Sequence, residues 1–526
     1  MDPVPAEDLL APPYDGSIAN LLARPVDLFP DTVAVEHLGE TVTHAAFADR
    51  VRRIAGGLHE LGIAPDDRVG LYLPNGRAFC EALWACIHAG VVASPLNPEY
   101  RRREIDYQLD HADATAVVTS GEGEAHVGPV ADDLGVEVIS TDPKAEHTTL
   151  DDLAAAGEPT LVEREDDDVL LQPYTSGTTG QPKGVLLSHR NFRVQVVTAV
   201  AGYTAGQIRG DALVILPMYH ITGVVGMLSA LATGRTLHLL RSDQWDPDRV
   251  LRTLDEYDVP AFTGVATMFM DLLATYEENP DAYDLSTLRR AGQGGDKLPT
   301  PVHEAFEETL DVPVIEGYGL TETTAATHSV RYASLGDRIG SVGQPAPHTH
   351  SMVVDPETGE EVPDGDEGEI VVKGPQVMAG YAEDPEATEA AFTDDGYFLT
   401  GDRGHRDADN YYYVSGREKD MVLTGGYNVY PSEVERALYD HPDVHEASVF
   451  GIPHARKGET VAAAVSLIEG SAMIAEEVQE YVLSELAPYK HPRVVEIRDD
   501  LPKTGSGKIR KIELRDEFVE RYGEVD

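Results

Sequence analysis

Apolar residues recur at helical spacing from His44 to Leu61, with Phe47, Val51, Ile54, Leu58 and Leu61 on one face. Arg68–Leu73 then reads as a strand, Arg77–Ala89 as a helix and Val91–Leu96 as a strand. A helix over Arg102–Leu109 and a strand over Ala114–Thr119 follow. That alternation predicts a parallel sheet with helices on both faces. A second alternating section runs from about Ala212 to Ile315. After Val330 the pattern shortens to β segments with turns, among them Ser351–Val354, Gly368–Val372 and Tyr411–Val414. These predict a small β-barrel or sandwich. Past Gly416 the chain reads as a compact α+β unit. Its elements are a strand at 421–423, a Gly-Gly turn and a helix with Pro431 in its first turn. Strands at 446–451 and 461–467, a helix near 475–486, a strand at 493–498 and a helix after Ile509 complete it. The fold class is α/β: a large N-terminal domain of two doubly wound sheet layers plus a small β-barrel, then a small α+β C-terminal domain. We place these domains at 1–416 and 421–526. No low-complexity linker separates them, so 417–420 is a short hinge.

A chain of 526 residues supports more than one core. Its net charge is −51, from 92 acidic against 41 basic residues, and the acids are spread along the whole chain. Dispersed acid keeps a protein soluble in concentrated salt and reads as a halophile's cytoplasmic protein. An acidic docking surface would instead predict one block. Nucleic acid and anionic membrane are poor partners for such a surface. Ala212–Thr233 carries no formal charge, but Pro217, Tyr219, His220 and Thr222 interrupt it. A buried strand, a turn and a helix are expected there, not a membrane span. Cys80 and Cys86 are the two cysteines, on different faces of one helix, so neither a disulfide nor a metal site is expected. Met1-Asp2-Pro3 opens no signal-peptide pattern.

Between the apolar runs Val169–Leu171 and Val185–Leu187 lies Tyr174-Thr175-Ser176-Gly177-Thr178-Thr179-Gly180-Gln181-Pro182-Lys183-Gly184. Glycines let backbone N–H groups turn toward an anion, and the hydroxyls and Lys183 add donors. This is the chemistry of a polyphosphate loop, although the same composition also suits a flexible linker. It is not a Walker A loop, because no Gly-Lys-Ser/Thr stands at the required spacing. Gly505-Ser506-Gly507-Lys508 fails the same test, with Ile509 in place of the hydroxyl residue. Lys508 belongs to a basic island that includes Lys490, Arg493, Lys503, Arg510 and Lys511, and this island is read as a candidate contact for nucleotide phosphates.

Five motifs occur in order: the loop above, Gly317-Tyr318-Gly319-Leu320-Thr321-Glu322-Thr323-Thr324, Thr400-Gly401-Asp402, Gly416-Arg417-Glu418-Lys419-Asp420 and Pro502-Lys503-Thr504-Gly505-Ser506-Gly507-Lys508. Together, over roughly residues 20 to 515, the chain resembles the acyl-adenylate-forming superfamily. That superfamily includes acyl-CoA synthetases, amino-acid adenylation domains and beetle luciferases. The resemblance implies two half-reactions. A carboxylate first attacks the α-phosphate of ATP and releases pyrophosphate; a nucleophile, often the thiol of coenzyme A, then displaces AMP.

The same resemblance implies the site residues. Thr175, Ser176, Gly177, Thr178, Thr179, Gly180 and Lys183 would hold the β- and γ-phosphates. Thr321 would contact the α-phosphate and Glu322 would ligate Mg²⁺. Lys508 would bridge the attacking carboxylate and the α-phosphate, a role worth about 3–4 kcal/mol for comparable donors. Asp402 and Arg417 would bind the ribose hydroxyls. Tyr318, with Gly319 beside it, would stack on adenine, with Gln293, Gly294 and Gly295 along the other edge. The segment Gly292–Asp296 departs from the family's common Gly-Gly-Ala form. Gly425 and Gly426 would line the pantetheine path, and Lys419 would be the hinge about which the small domain rotates between steps.

Pro217–Gly223 resembles the start of the family's acyl pocket, with Tyr219 and His220 at its entrance and Gly264, Val265 and Met268 as neighbours. Amino-acid adenylation domains carry an Asp soon after the aromatic residue; here Ile221 and Thr222 follow His220 instead. The expected function is therefore an AMP-forming acid–CoA ligase with ATP, Mg²⁺ and coenzyme A. Its substrate would be a medium- or long-chain fatty acid. An aryl acid of the benzoate or cinnamate type is the alternative, and a non-catalytic acyl-nucleotide-binding protein is a reading from another class. A homo-oligomer is left open.

Overall fold

Thr43 starts the first long helix, His44–Glu60, by accepting from the Ala46 amide at 3.3 Å. Phe47, Val51, Ile54 and Leu58 are buried along it, as the spacing predicts. The computed structural model describes residues 16–175, 182–205, 210–241, 244–295, 297–330, 338–417, 420–424, 427–505 and 507–525, with backbone alone for 201–205, 427 and 428.

The first alternating section builds a nine-stranded sheet. Arg68–Tyr72 runs parallel between Val92–Leu96 and Ala114–Thr119, each strand joined to the next by a crossover helix. Between the first two strands lies Arg77–Ala89, buried over most of its length and ended by Gly90 in the left-handed region at φ 71°. Cys80 and Cys86 are buried free thiols in it. Past Val169–Leu171 the sheet turns antiparallel, first with Lys183–Ser188 and then with the edge strand Gly380–Tyr381.

The second alternating section divides between two sheets. Ala212–Val214 and Leu237–Leu239 join the N-terminal hairpin Val33–His37 and Glu40–Thr43. Ala261–Gly264, Arg290–Gly294 and Val314–Leu320 form a separate parallel sheet, extended antiparallel by Ala325–Ser329 and Gln344–Pro345. Between Val214 and Leu237 the uncharged stretch turns into the buried helix Ile221–Ala232. No helix among the described residues is long and apolar enough to cross a membrane.

The small β unit is a four-stranded antiparallel sheet of His350–Val354, Gly368–Lys373, Phe398–Arg406 and Tyr412–Arg417. Beyond it, Val444–His454, Gly458–Leu467 and Val494–Arg498 form the centre of the C-terminal sheet, flanked by helices Pro431–Tyr439, Ala475–Glu485 and Lys511–Tyr522. Each buried apolar cluster lies wholly before residue 413 or wholly after residue 421. Across that line the contacts include polar ones, such as the Ser432 hydroxyl donating to the Ser415 carbonyl.

Candidate active site

Strand pairing sets Thr175 opposite Lys183, so both ends of the expected phosphate loop are fixed by the sheet. Ser176, Gly177, Thr178, Thr179 and Gly180 lie outside the described residues. Glu322 comes to this place from a one-turn 3₁₀ helix, Thr321–Thr323, at the end of the strand Val314–Leu320. Its Oε1 accepts from the Thr175 hydroxyl at 3.5 Å and from the Tyr381 hydroxyl at 3.2 Å. The Lys183 ammonium sits 4.9 Å from the centroid of the Tyr381 ring.

The turn that presents Thr321 and Glu322 is pinned by buried hydroxyls and amides. Thr323 Oγ1 accepts from the Leu320 amide at 2.9 Å, and Thr324 Oγ1 donates to the Gln376 carbonyl at 2.8 Å. Gln195 Nε2 donates to the carbonyls of Thr323 at 3.1 Å and Ala326 at 2.7 Å. Thr324 and Ala325 carry positive φ, 53° and 83°, conformations that persist only where the surroundings enforce them. At Gly319 a Cβ would stand 1.6 Å from the Ala325 carbonyl oxygen, so no other residue fits there.

One turn earlier in the same strand, the Tyr318 hydroxyl donates to Asp402 Oδ2 at 2.6 Å. Arg417 Nε donates to the other oxygen, Oδ1, at 3.0 Å. Burial raises the Asp402 pKa, while Arg417 and the Tyr318 hydrogen bond oppose the rise. Beside this strand runs Arg290–Gly294, with Gly294 in register with Gly317 and Gln293 buried.

Lys508 is delivered from the other domain by a hairpin. Lys503 pairs with Ile509, the Thr504 amide donates to the Lys508 carbonyl at 2.7 Å, and the Lys508 amide donates to Thr504 Oγ1 at 3.1 Å. Thr267 anchors this hairpin to the large domain, donating its hydroxyl to the Gly507 carbonyl at 2.9 Å. The Lys508 side chain lies over Gly295, where a Cβ would meet Cε at 3.1 Å and Nζ at 3.3 Å. Gly295 has φ 94°, so glycine is required there on both counts.

The segment Pro217–Gly223 meets the same hairpin. Tyr219 is buried, and a Cβ at Gly505 would fall 2.3 Å from its hydroxyl and 3.0 Å from Glu99 Oε2. The His220 ring packs 4.7 Å from that of Tyr219 and opens to the cleft. Its pKa is lowered, first by desolvation and then by the Lys508 charge, which keeps it neutral near pH 7. Gly264 faces Met268, and Val265 reaches both Gly295 and Gly507.

Lys508, Gly295, Val265, Tyr219 and His220 are thus brought together, as are Thr175, Lys183 and Glu322, and Tyr318 with Asp402 and Arg417. Lys419, Gly425 and Gly426 lie outside the described residues. The basic island is not an open cationic surface. Lys490 pairs with Glu433, Lys503 with Glu446 at 2.9 Å, Lys511 with Glu435 at 2.8 Å and Arg510 with Glu513 at 3.3 Å. Tyr381, Gln195 and Thr267 escape a reading of the sequence, because each acts on a motif far away along the chain.

A three-part cleft of this kind, with one lysine carried in from a second domain, defines a nucleotide-dependent acid-activating enzyme. Residues 22–382 match the AMP-binding enzyme family and residues 433–508 its C-terminal domain, and the chain belongs to this family. It is similar to the long-chain-fatty-acid–CoA ligase of Bacillus subtilis (strain 168), 32% identical over 96% of this chain and 95% of that one. The feruloyl-CoA synthase of Amycolatopsis sp is 37% identical over 94% and 98%. The crystal structure of ATP-bound MatB from Rhodopseudomonas palustris superposes with a TM-score of 0.87 at 34% identity, covering 96% of this chain and 99% of that one. The protein is an AMP-forming acyl-CoA synthetase, with ATP, coenzyme A and a small carboxylic acid as its substrates.

Proposed function

We propose that this synthetase activates a medium- or long-chain fatty acid, forming an acyl-adenylate before transfer to coenzyme A. The observation that carries the substrate class is the uncharged wall beside Tyr219. Helix Ile221–Ala232 is apolar and buried, and no cation stands between residues 212 and 233 to pair a second carboxylate. An acid with one carboxylate and an apolar body fits it. An aryl acid is the second reading, supported by the paired rings of Tyr219 and His220 and by the likeness to a feruloyl-CoA synthase. AMP formation across a panel of acids in molar KCl decides: activity confined to aryl acids overturns the fatty-acid reading.

The residues would divide the work by charge. Attack of a carboxylate on ATP brings two anions together, and Lys508, lying over Gly295, would hold both. Thr175, Lys183 and the loop between them would take the β- and γ-phosphates, with Thr321 on the α-phosphate. Asp402 accepts hydrogen bonds well from a vicinal diol and, with Arg417, would hold the ribose beside Tyr318. Glu322, with hydroxyl oxygens of Thr175 and Tyr381 around it, fits a hard cation that takes its remaining ligands from phosphate. Mg²⁺ there would supply charge neutralisation. The small domain, 421–526, would rotate about 417–420 between the half-reactions, and the dispersed acid suits a cytoplasm rich in salt.

Lys508→Ala tests the central role. Adenylate formation from acid and ATP is expected to fall about 10²–10³-fold, the cost of one such donor. Thioester formation from supplied acyl-adenylate is expected to stay near wild type. Equal losses in both half-reactions of a folded variant would falsify the assignment.

A further inference from the structure

Beside the Lys508 hairpin the two domains border a cavity of about 110 Å³, and apart from Lys508 and Val265 its lining has no part in the reaction proposed above. In a chain of net charge −51 its wall is anomalous: Lys297, Arg436, Lys508 and Lys511 line it, against one carboxylate, Glu435. Two helices of opposite domains begin on it, Thr300–Leu310 and Pro431–Tyr439, and neither has a side-chain N-cap. Pro431 and Pro301 carry no N–H, so the donors offered are the amides of Thr300 and Val302 in one helix and Ser432 in the other, and both dipoles place positive charge toward the space. Ser448, 1% exposed, lies on the same wall, and its hydroxyl oxygen has no hydrogen-bond partner. Lys297 and Arg436 face one another across the domain boundary, and their repulsion is legible in Lys297. Its pKa is lowered, first by burial and next by Arg436, against the pull of Glu316 and Glu435.

From this geometry we infer that the interdomain cavity is a binding site for one tetrahedral oxyanion, of the size of phosphate or sulfate, that clasps the small domain onto the large one. The volume is that of a few water molecules at ~30 Å³ each, far below the ~300 Å³ at which cofactor-sized pockets begin. That space suits a free ion better than a nucleotide. Diverging donors from two helix starts, a guanidinium and a hydroxyl suit several oxygens at once, which chloride does not offer. Bound there, the anion removes the Lys297–Arg436 repulsion and ties the helix of one domain to the helix of the other. The site does not depend on which acid the enzyme activates.

Hydrogen exchange of the full-length protein tests it, with inorganic phosphate exchanged for KCl at constant ionic strength. Phosphate is expected to protect the amides of 300, 302 and 303 and of 432–436 together, and sulfate to do the same. Arg436→Met changes an exposed side chain, and Lys297→Met removes the facing charge; each is expected to weaken the half-saturating phosphate concentration about tenfold, the worth of one charge-assisted hydrogen bond. Lys183→Met is expected to keep the protection, which separates this site from the phosphate loop. Protection confined to residues around 183, or protection unchanged in both Arg436→Met and Lys297→Met, overturns the proposal. So does equal protection by chloride alone.

Discussion

Asp402 shows how a single side chain can be committed before any substrate arrives. One oxygen takes the Tyr318 hydroxyl and the other takes Arg417, so the carboxylate is oriented although burial works against its charge. Asp402→Asn keeps the shape but places an amide donor where two donors already point. We expect the KM for ATP to rise about 10–100-fold, the range for losing a hydrogen bond to a charged group. An unchanged KM would remove Asp402 from the ribose site. Histidines supply a second prediction. His44, His88 and His189 are buried with pKa values lowered to about 4, and His328 to about 3, in each case chiefly by desolvation. Their folded values lie below the unfolded 6.5, so their contribution is complete above pH 6.5 and is lost as pH falls toward 4. Each would cost about 1.4 kcal/mol per pH unit across that window. His303 acts in the opposite sense, because Glu316 and Glu307 outweigh its desolvation and raise its pKa, but the lowered histidines outnumber it. Urea midpoints at pH 7.5 and pH 5, at fixed salt, are expected to drop on acidification; equal midpoints would contradict the burial.

Among elements, local signals were legible and distant partners were not. Arg77–Ala89 is bounded by Gly76 and Gly90, and its limits can be read directly from the chain. Ser188 opens the next long helix as its sequence indicates, exchanging hydrogen bonds with Asn191 at 2.7 and 3.3 Å. No local pattern shows that Leu237–Leu239 pairs with Val33–His37, because the two are united only by the sheet they complete. Tyr381 reaches Glu322 across 59 residues, so nothing near either residue announces the contact. The hinge belongs to this scale too. In the proposed reaction Lys508 would reach the α-phosphate in one step and residues 425–426 would line the thiol's path in the other. They stand on the same small domain, so one fixed placement serves both poorly. Lys419→Pro would fix φ near −65° and restrict Glu418. We expect adenylation to survive and thioester formation to fall by orders of magnitude, measured by stopped-flow pyrophosphate release followed by thioester detection. Full thioester synthesis would put the hinge elsewhere.

For the whole molecule, charge and partition dominate. ATP and coenzyme A are polyanions approaching a chain of −51, so long-range repulsion opposes them at low ionic strength. At about 1 M salt the Debye length is ~3 Å and the local contacts are left to act. Activity is expected to rise steeply from low salt to molar KCl, and identical Michaelis constants at both ends would refute this. The motifs and their order were legible because they are contiguous in sequence. The acyl substrate was not, since the segments near residues 219 and 264 that would line its pocket lie far apart along the chain. The contact between Tyr219 and the hairpin at Gly505 carries a consequence for selectivity. If Tyr219 lines the acyl pocket as proposed, an acid that pushed it aside would also displace the hairpin that carries Lys508. Such an acid would occupy the enzyme without being turned over. Discrimination would then be exerted in kcat, through assembly of the reactive arrangement, more than in the strength of binding.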